Sequence, residues 1–150
     1  MKELLRLAAD HGVAVTSATL PDDLLGCYVP DLRRIYLDSR LTPSEERSVL
    51  AHELGHVHYA HPCGDDAPSD TARARERQAD VFAARLLIDT DAYARLERVD
   101  ADAHAIADDL GVTVELVEIY RTHCLQRVGN SARALPRPGR PQRSRVGAAA

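Results

Sequence analysis

Apolar positions recur along this chain with two periods, and the change from one to the other divides it. Residues 2–10 carry Leu4, Leu5, Leu7 and Ala8 among charged neighbours, an amphipathic segment ending near Gly12. Val13 and Val15 then alternate with Ala14 and Thr16, the short period of a strand. Two more extended stretches, at 26–29 and 34–37, are separated by Pro30-Asp31-Leu32-Arg33, the grammar of a hairpin. Beyond them the period lengthens. Leu50, Leu54 and Val57 are spaced by four and three, and Ala79, Phe82, Ala83, Leu86 and Leu87 fall at offsets 0, 3, 4, 7 and 8, so each set predicts a core-facing helical stripe. The 105–117 segment has the apolar spacing of a helix-turn-helix, with Gly111 at the turn and Thr113 capping the second helix.

Punctuation sets the expected boundaries. Thr42-Pro43-Ser44-Glu45 reads as a capping box, and the helix it starts should run to about His61 and stop at Pro62. Residues 62–70 hold a glycine, two prolines and three aspartates, which predicts an exposed loop, with Ser69 or Asp70 capping the next helix. Thr90 or Asp91 should cap a short helix through about Leu96. From Gly129 onward large apolar residues almost vanish, so 129–150 is predicted to be a disordered Arg/Pro-rich tail and 1–128 the single folded domain.

The length of 150 residues, with 45% hydrophobic and 28% charged, suits one globular domain of the α+β class. The net charge of −4 conceals an asymmetry: the tail holds five arginines and no acid, leaving 14 basic against 23 acidic residues, or −9, in the remainder. An electronegative body argues against direct nucleic-acid binding, and the second helix of the 105–117 pair presents Glu115 and Glu118 before Arg121. No apolar run approaches the ~20 residues of a membrane span, and no signal pattern opens the chain, so the expected location is the cytoplasm and no membrane partner is expected. Cys27, Cys63 and Cys124 form no close pair, which points to reduced thiols rather than a disulfide framework.

The chemistry sits on the helix expected after Thr42. His52, Glu53 and His56 form HExxH, in which residues four apart share a helix face and aim two imidazoles at one zinc ion, with the glutamate one step round as general base. A histidine ten residues after His52 would complete one class of zinc site, but that position is Pro62, and His58 and His61 are poor substitutes. Cys63 is read as an incidental thiol. The better third ligand is Glu76, in Glu76-Arg77-Gln78-Ala79-Asp80. Asp80, one turn further on, can accept the free ring N–H of a ligand histidine and fix its tautomer. An oxyanion donor is also needed, and Tyr59, His58 and His61 are candidates by proximity.

His52-Glu53-Leu54-Gly55-His56, followed by Glu76-Arg77-Gln78-Ala79-Asp80-Val81-Phe82-Ala83-Ala84-Arg85-Leu86-Leu87, resembles the ImmA/IrrE family of small gluzincin-type zinc metallopeptidases, over roughly residues 1–126. The resemblance implies a compact zincin-like domain with a small N-terminal sheet, an active-site helix and a C-terminal helical region. It implies zinc held by His52, His56 and Glu76, Glu53 as catalytic base, and a protein substrate such as a helix-turn-helix repressor. The family often has Asn where this chain has Asp80. In zincins the strand leading into the active-site helix offers its edge to substrate, and the 34–37 stretch resembles it, though an ordinary small sheet covering the core would read the same. Two rival readings are a non-catalytic zinc-binding regulator that sequesters a repressor, and a DNA-binding module. No oligomeric state is legible.

Overall fold

The computed structural model describes residues 1–61 and 69–125, and these fold as α+β. In chain order come α1 (Lys2–Asp10), β1 (Ala14–Ala18), β2 (Gly26–Val29), β3 (Arg34–Asp38), α2 (Pro43–His58), α3 (Ser69–Leu87), α4 (Thr90–Val99), α5 (Ala103–Leu110) and α6 (Val114–Ile119). The expected tail from 129, Cys63 and most of the expected 62–70 loop lie outside the described residues. Ser69 and Asp70 stand in the first turn of α3 rather than before it.

Ile35 and Leu37, 0% and 2% exposed, make β3 the most buried strand, and it takes the middle of the sheet. It runs parallel to β1, with Val15 opposite Ile35, and antiparallel to β2, with Cys27 opposite Tyr36. Both edges of β3 are therefore occupied, which corrects the expectation that 34–37 offers an edge to substrate. Among the described residues β2 is an edge strand of the sheet, and it lies against α2: a Cβ on Gly26 would meet Val49 at 2.5 Å and the Glu53 side chain at 3.3 Å.

At the end of β3, the Asp38 carboxylate accepts from the Leu20 and Arg40 amides at 3.0 and 2.8 Å and from the Arg40 guanidinium at 2.8 and 2.9 Å. Arg40 also donates to Asp22 and to the Leu20 carbonyl, so the segment before β2 is pinned. The Arg40 side-chain and backbone hydrogen bonds hold the Asp38 carboxyl well below the usual carboxylate range.

The capping box of α2 forms as expected: Thr42 Oγ1 accepts from the Glu45 amide at 3.4 Å while the Glu45 carboxylate accepts from the Thr42 amide at 2.8 Å. Leu50, Ala51 and Leu54 are buried in the core. The helix ends at His58, three residues short of expectation, because Ala60 turns left-handed at φ +53 and the amides of Ala60 and His61 bond back to Val57 and His56 at 3.2 and 3.0 Å.

Ala79 and Ala83 of α3 are fully buried as expected, but Leu86 is 40% exposed, and Ala84 fills the core. A Cβ on Gly55 would lie 2.7 Å from the Ala79 Cα, so α2 and α3 touch backbone to backbone there. Asp89, rather than Thr90 or Asp91, caps α4, which extends to Val99. The 105–117 pair is present as α5 and α6, with Gly111 left-handed at φ +63 and Thr113 Oγ1 accepting from the Leu116 amide. It packs beside the HExxH helix: Arg47 donates to the Leu110 carbonyl at 2.9 Å, and Ser48 Oγ accepts from the Thr113 amide at 3.1 Å.

Gly55→Ala is expected to lower stability by about 1–3 kcal/mol through overpacking against backbone that cannot rotate away. An unchanged denaturant midpoint would show that the helices separate freely. A second expectation follows from Asp38, whose folded pKa is depressed. Its contribution is complete above the unfolded value of about 4 and is lost as pH falls through the folded value. The stability difference between wild type and Asp38→Asn should be largest at neutral pH and shrink below about pH 4. A difference that stays constant across denaturation curves from neutral to acid would assign it to something other than the carboxylate.

Candidate metal centre

The helix period of α2 puts His52 and His56 one turn apart, and their Nε2 atoms face each other at 3.0 Å. Contact at Gly55 and Ala79 brings α3 against this face, so Glu76 and Asp80, also one turn apart, meet the two histidines. Glu76 Oε2 lies 3.2 Å from His52 Nε2, and its Oε1 lies 3.4 Å from His56 Nε2. Asp80 Oδ1 stands 2.8 Å from His52 Nδ1, behind the ring.

His52, His56 and Glu76 are thus brought together as a possible metal site. Their donor chemistry fits a divalent cation. Zinc with bonds of 2.0–2.1 Å in a tetrahedron requires ligand atoms about 3.3 Å apart, and the observed separations of 3.0, 3.2 and 3.4 Å bracket that value. Two imidazole nitrogens and one carboxylate are also a donor set that zinc accepts.

Glu53 is not part of this triad and is only 7% exposed. Burial pushes its carboxyl up to about 6, against the opposing pull of His52 and of a hydrogen bond from the Tyr28 backbone. Burial lowers the His56 imidazole to about 4, with His52 and His61 adding to the effect. For His52, burial also disfavours the cation, but the Asp80 hydrogen bond and the Glu53, Asp80 and Glu76 charges outweigh it and raise the pKa.

The four residues open into a cavity of about 740 Å³, within the size range of small-molecule and peptide sites. Leu24, Val49, Leu116 and Ile119 supply apolar wall, while Arg75 and Glu115 supply charge. Among the described residues Arg75 has no ion-pair partner. Tyr28 and Arg75 had no motif to mark them, because a strand tyrosine and a helical arginine are common anywhere.

The three expected oxyanion candidates divide. His58 stacks on Phe82 at 4.9 Å and Tyr59 on His61 at 5.7 Å, and neither lines the cavity. His61 does line it, yet its ring nitrogens face His56 and Gln78. It is buried, 7% exposed.

Residues 8–120 match the model of the Peptidase M78 family, described as the IrrE N-terminal-like domain. Among solved structures, a Mycobacterium tuberculosis transcriptional regulator is similar with a TM-score of 0.59 and 22% identity, over 77% of this chain and 39% of that one. The chain therefore spans about two fifths of that regulator's length, and the likeness is one of fold. No curated protein matches the chain. No helix among the described residues is long and apolar enough to cross a membrane.

Replacing Glu76 by Gln removes the anionic donor while keeping its shape, and Zn²⁺ affinity should fall sharply. Asp80→Ala should cost less, about 10- to 100-fold, because Asp80 only orients His52. Metal stoichiometry and chelator competition measure both, and wild-type affinity in Glu76→Gln would remove Glu76 from the ligand set.

Proposed function

This chain belongs to the IrrE N-terminal-like family of peptidases, and from that premise we propose that it is a zinc-dependent endopeptidase acting on a protein substrate. The observation that carries the reading is the convergence of His52, His56 and Glu76 with a buried carboxylate, Glu53, beside them and not among them. Bound zinc would contribute Lewis acidity toward a carbonyl and would lower the pKa of water to about 7.

The chain's own residues do the rest. His52, His56 and Glu76 hold the cation, and Asp80 orients His52. Glu53, buried beside the triad, is the carboxylate placed to accept a proton. It takes that proton from the attacking water as the new C–O bond forms, and returns it to the departing amide nitrogen as the C–N bond breaks. Tyr28 and Arg75, both lining the cavity, are donors available to the carbonyl oxygen as it gains charge.

β2 is the strand suited to receive substrate. Among the described residues it stands at an edge of the sheet, and Gly26 lets it lie close to Glu53. Main-chain pairing along such an edge gives affinity whatever the side chains. The reading extends to a helix-turn-helix repressor as substrate, on the family resemblance and on a fold shared with a transcriptional regulator. The DNA-binding alternative is weakened by α6, whose Leu116 and Val117 are buried and whose Glu115 lines the cavity. We place the chemistry in residues 1–128 and none of it in the tail.

Glu53→Gln should retain Zn²⁺ and fold while losing about 10²–10⁴-fold in hydrolytic rate, as expected for removal of a general base. Candidate repressors incubated with each protein, then read by mass spectrometry, should give fragments with wild type alone, abolished by a chelator. Equal release of the repressor from operator DNA by both proteins, without cleavage, would replace the peptidase with a non-catalytic zinc-binding regulator.

A further inference from the structure

The end of α2 does something that the peptidase reading does not use. Ala60 adopts φ +53, a left-handed conformation costing roughly 1–2 kcal/mol in a residue with a Cβ. That turn folds His61 back beneath α2, where its amide donates to the His56 carbonyl at 3.0 Å and its ring is buried. The His61 ring stands with Nδ1 2.9 Å from His56 Nδ1 and Nε2 3.1 Å from Gln78 Oε1. Tyr59 stacks on the same ring, with planes 21° apart.

The donor directions in this row can be worked out from its far end. Gln78 Oε1 only accepts, so His61 Nε2 carries the hydrogen. A neutral imidazole protonated there has a bare Nδ1, which accepts; His56 Nδ1 is then the donor. His56 is left with an unprotonated Nε2, the atom that faces His52 Nε2 and Glu76. The reverse direction would put a hydrogen on that atom and block it as a ligand.

We infer that His61, backed by Gln78, is a positioning residue of the metal centre that fixes His56 in its metal-binding tautomer and orientation. It does for His56 what Asp80 does for His52, with an imidazole in place of a carboxylate. The inference rests on the reading that His52, His56 and Glu76 hold a divalent metal.

The test is Zn²⁺ affinity of the full chain by competition with a chromophoric chelator, with the thermal transition of the metal-free protein as the control for folding. His61→Phe keeps ring volume and stacking but offers no acceptor, and should weaken Zn²⁺ binding about 10- to 100-fold. His61→Asn places a carbonyl oxygen near the Nδ1 position and should recover most of that loss. Gln78→Leu, at an exposed position that leaves the core intact, should weaken binding in the same direction by less. Wild-type affinity in His61→Phe would overturn the inference, as would His61→Asn binding more weakly than His61→Phe, the order a packing role requires. Should His61→Phe fail to fold, unchanged affinity in Gln78→Leu is the overturning result. A wild type that binds no Zn²⁺ removes the metal reading itself, whereas a zinc-binding wild type matched by all variants removes His61 alone.

Discussion

Where α2 crosses α3, Gly55 has no side chain and Ala79 has almost none, so the two backbones approach within the reach of a single methyl group. Helix separation depends on the side chains between the two helices, and a small pair such as this one permits close approach. The separation decides whether Glu76 can share a cation with His52 and His56. Its carboxylate oxygens sit 3.2 and 3.4 Å from the two Nε2 atoms, and a wider interhelical gap would carry them out of coordinating range. Asp80 depends on the same approach to reach His52 Nδ1 at 2.8 Å.

A second close approach governs the proton chemistry. β2 lies on α2 at Gly26, against the Glu53 side chain, and burial raises the Glu53 carboxyl to about 6. Burial of a carboxylate disfavours its charged form, and the neighbouring imidazole and backbone amide keep that effect moderate. The strand that lies against the base also lines the cavity, at an edge of the sheet among the described residues. Asp38 and Arg40 pin the segment leading into this strand, so the cavity rim is tied to the sheet rather than left as an independent loop. On the opposite side α5 and α6 brace α2 through Arg47 and Ser48, which gives the helix-turn-helix spacing a structural use.

Local signals in the chain determined much of this protein. The α2 cap at Thr42, the shared face of His52 and His56, the paired Glu76 and Asp80, and the Gly111 turn with its Thr113 cap are all consequences of helix geometry over five residues or fewer, and each is legible without knowing what packs against it. The tertiary structure alone decided the rest, because those outcomes depend on contacts between residues far apart in the chain. The 34–37 stretch reads the same whether central or at an edge, and only pairing with both β1 and β2 made it central. Leu86 keeps the helical period yet stays exposed, since the stripe does not say how wide the neighbouring surface is. His61 was visible as a histidine near the motif, but its contact with His56 was not: a left-handed alanine, which sequence propensity disfavours, reversed the chain, and its partner Gln78 lies on another helix.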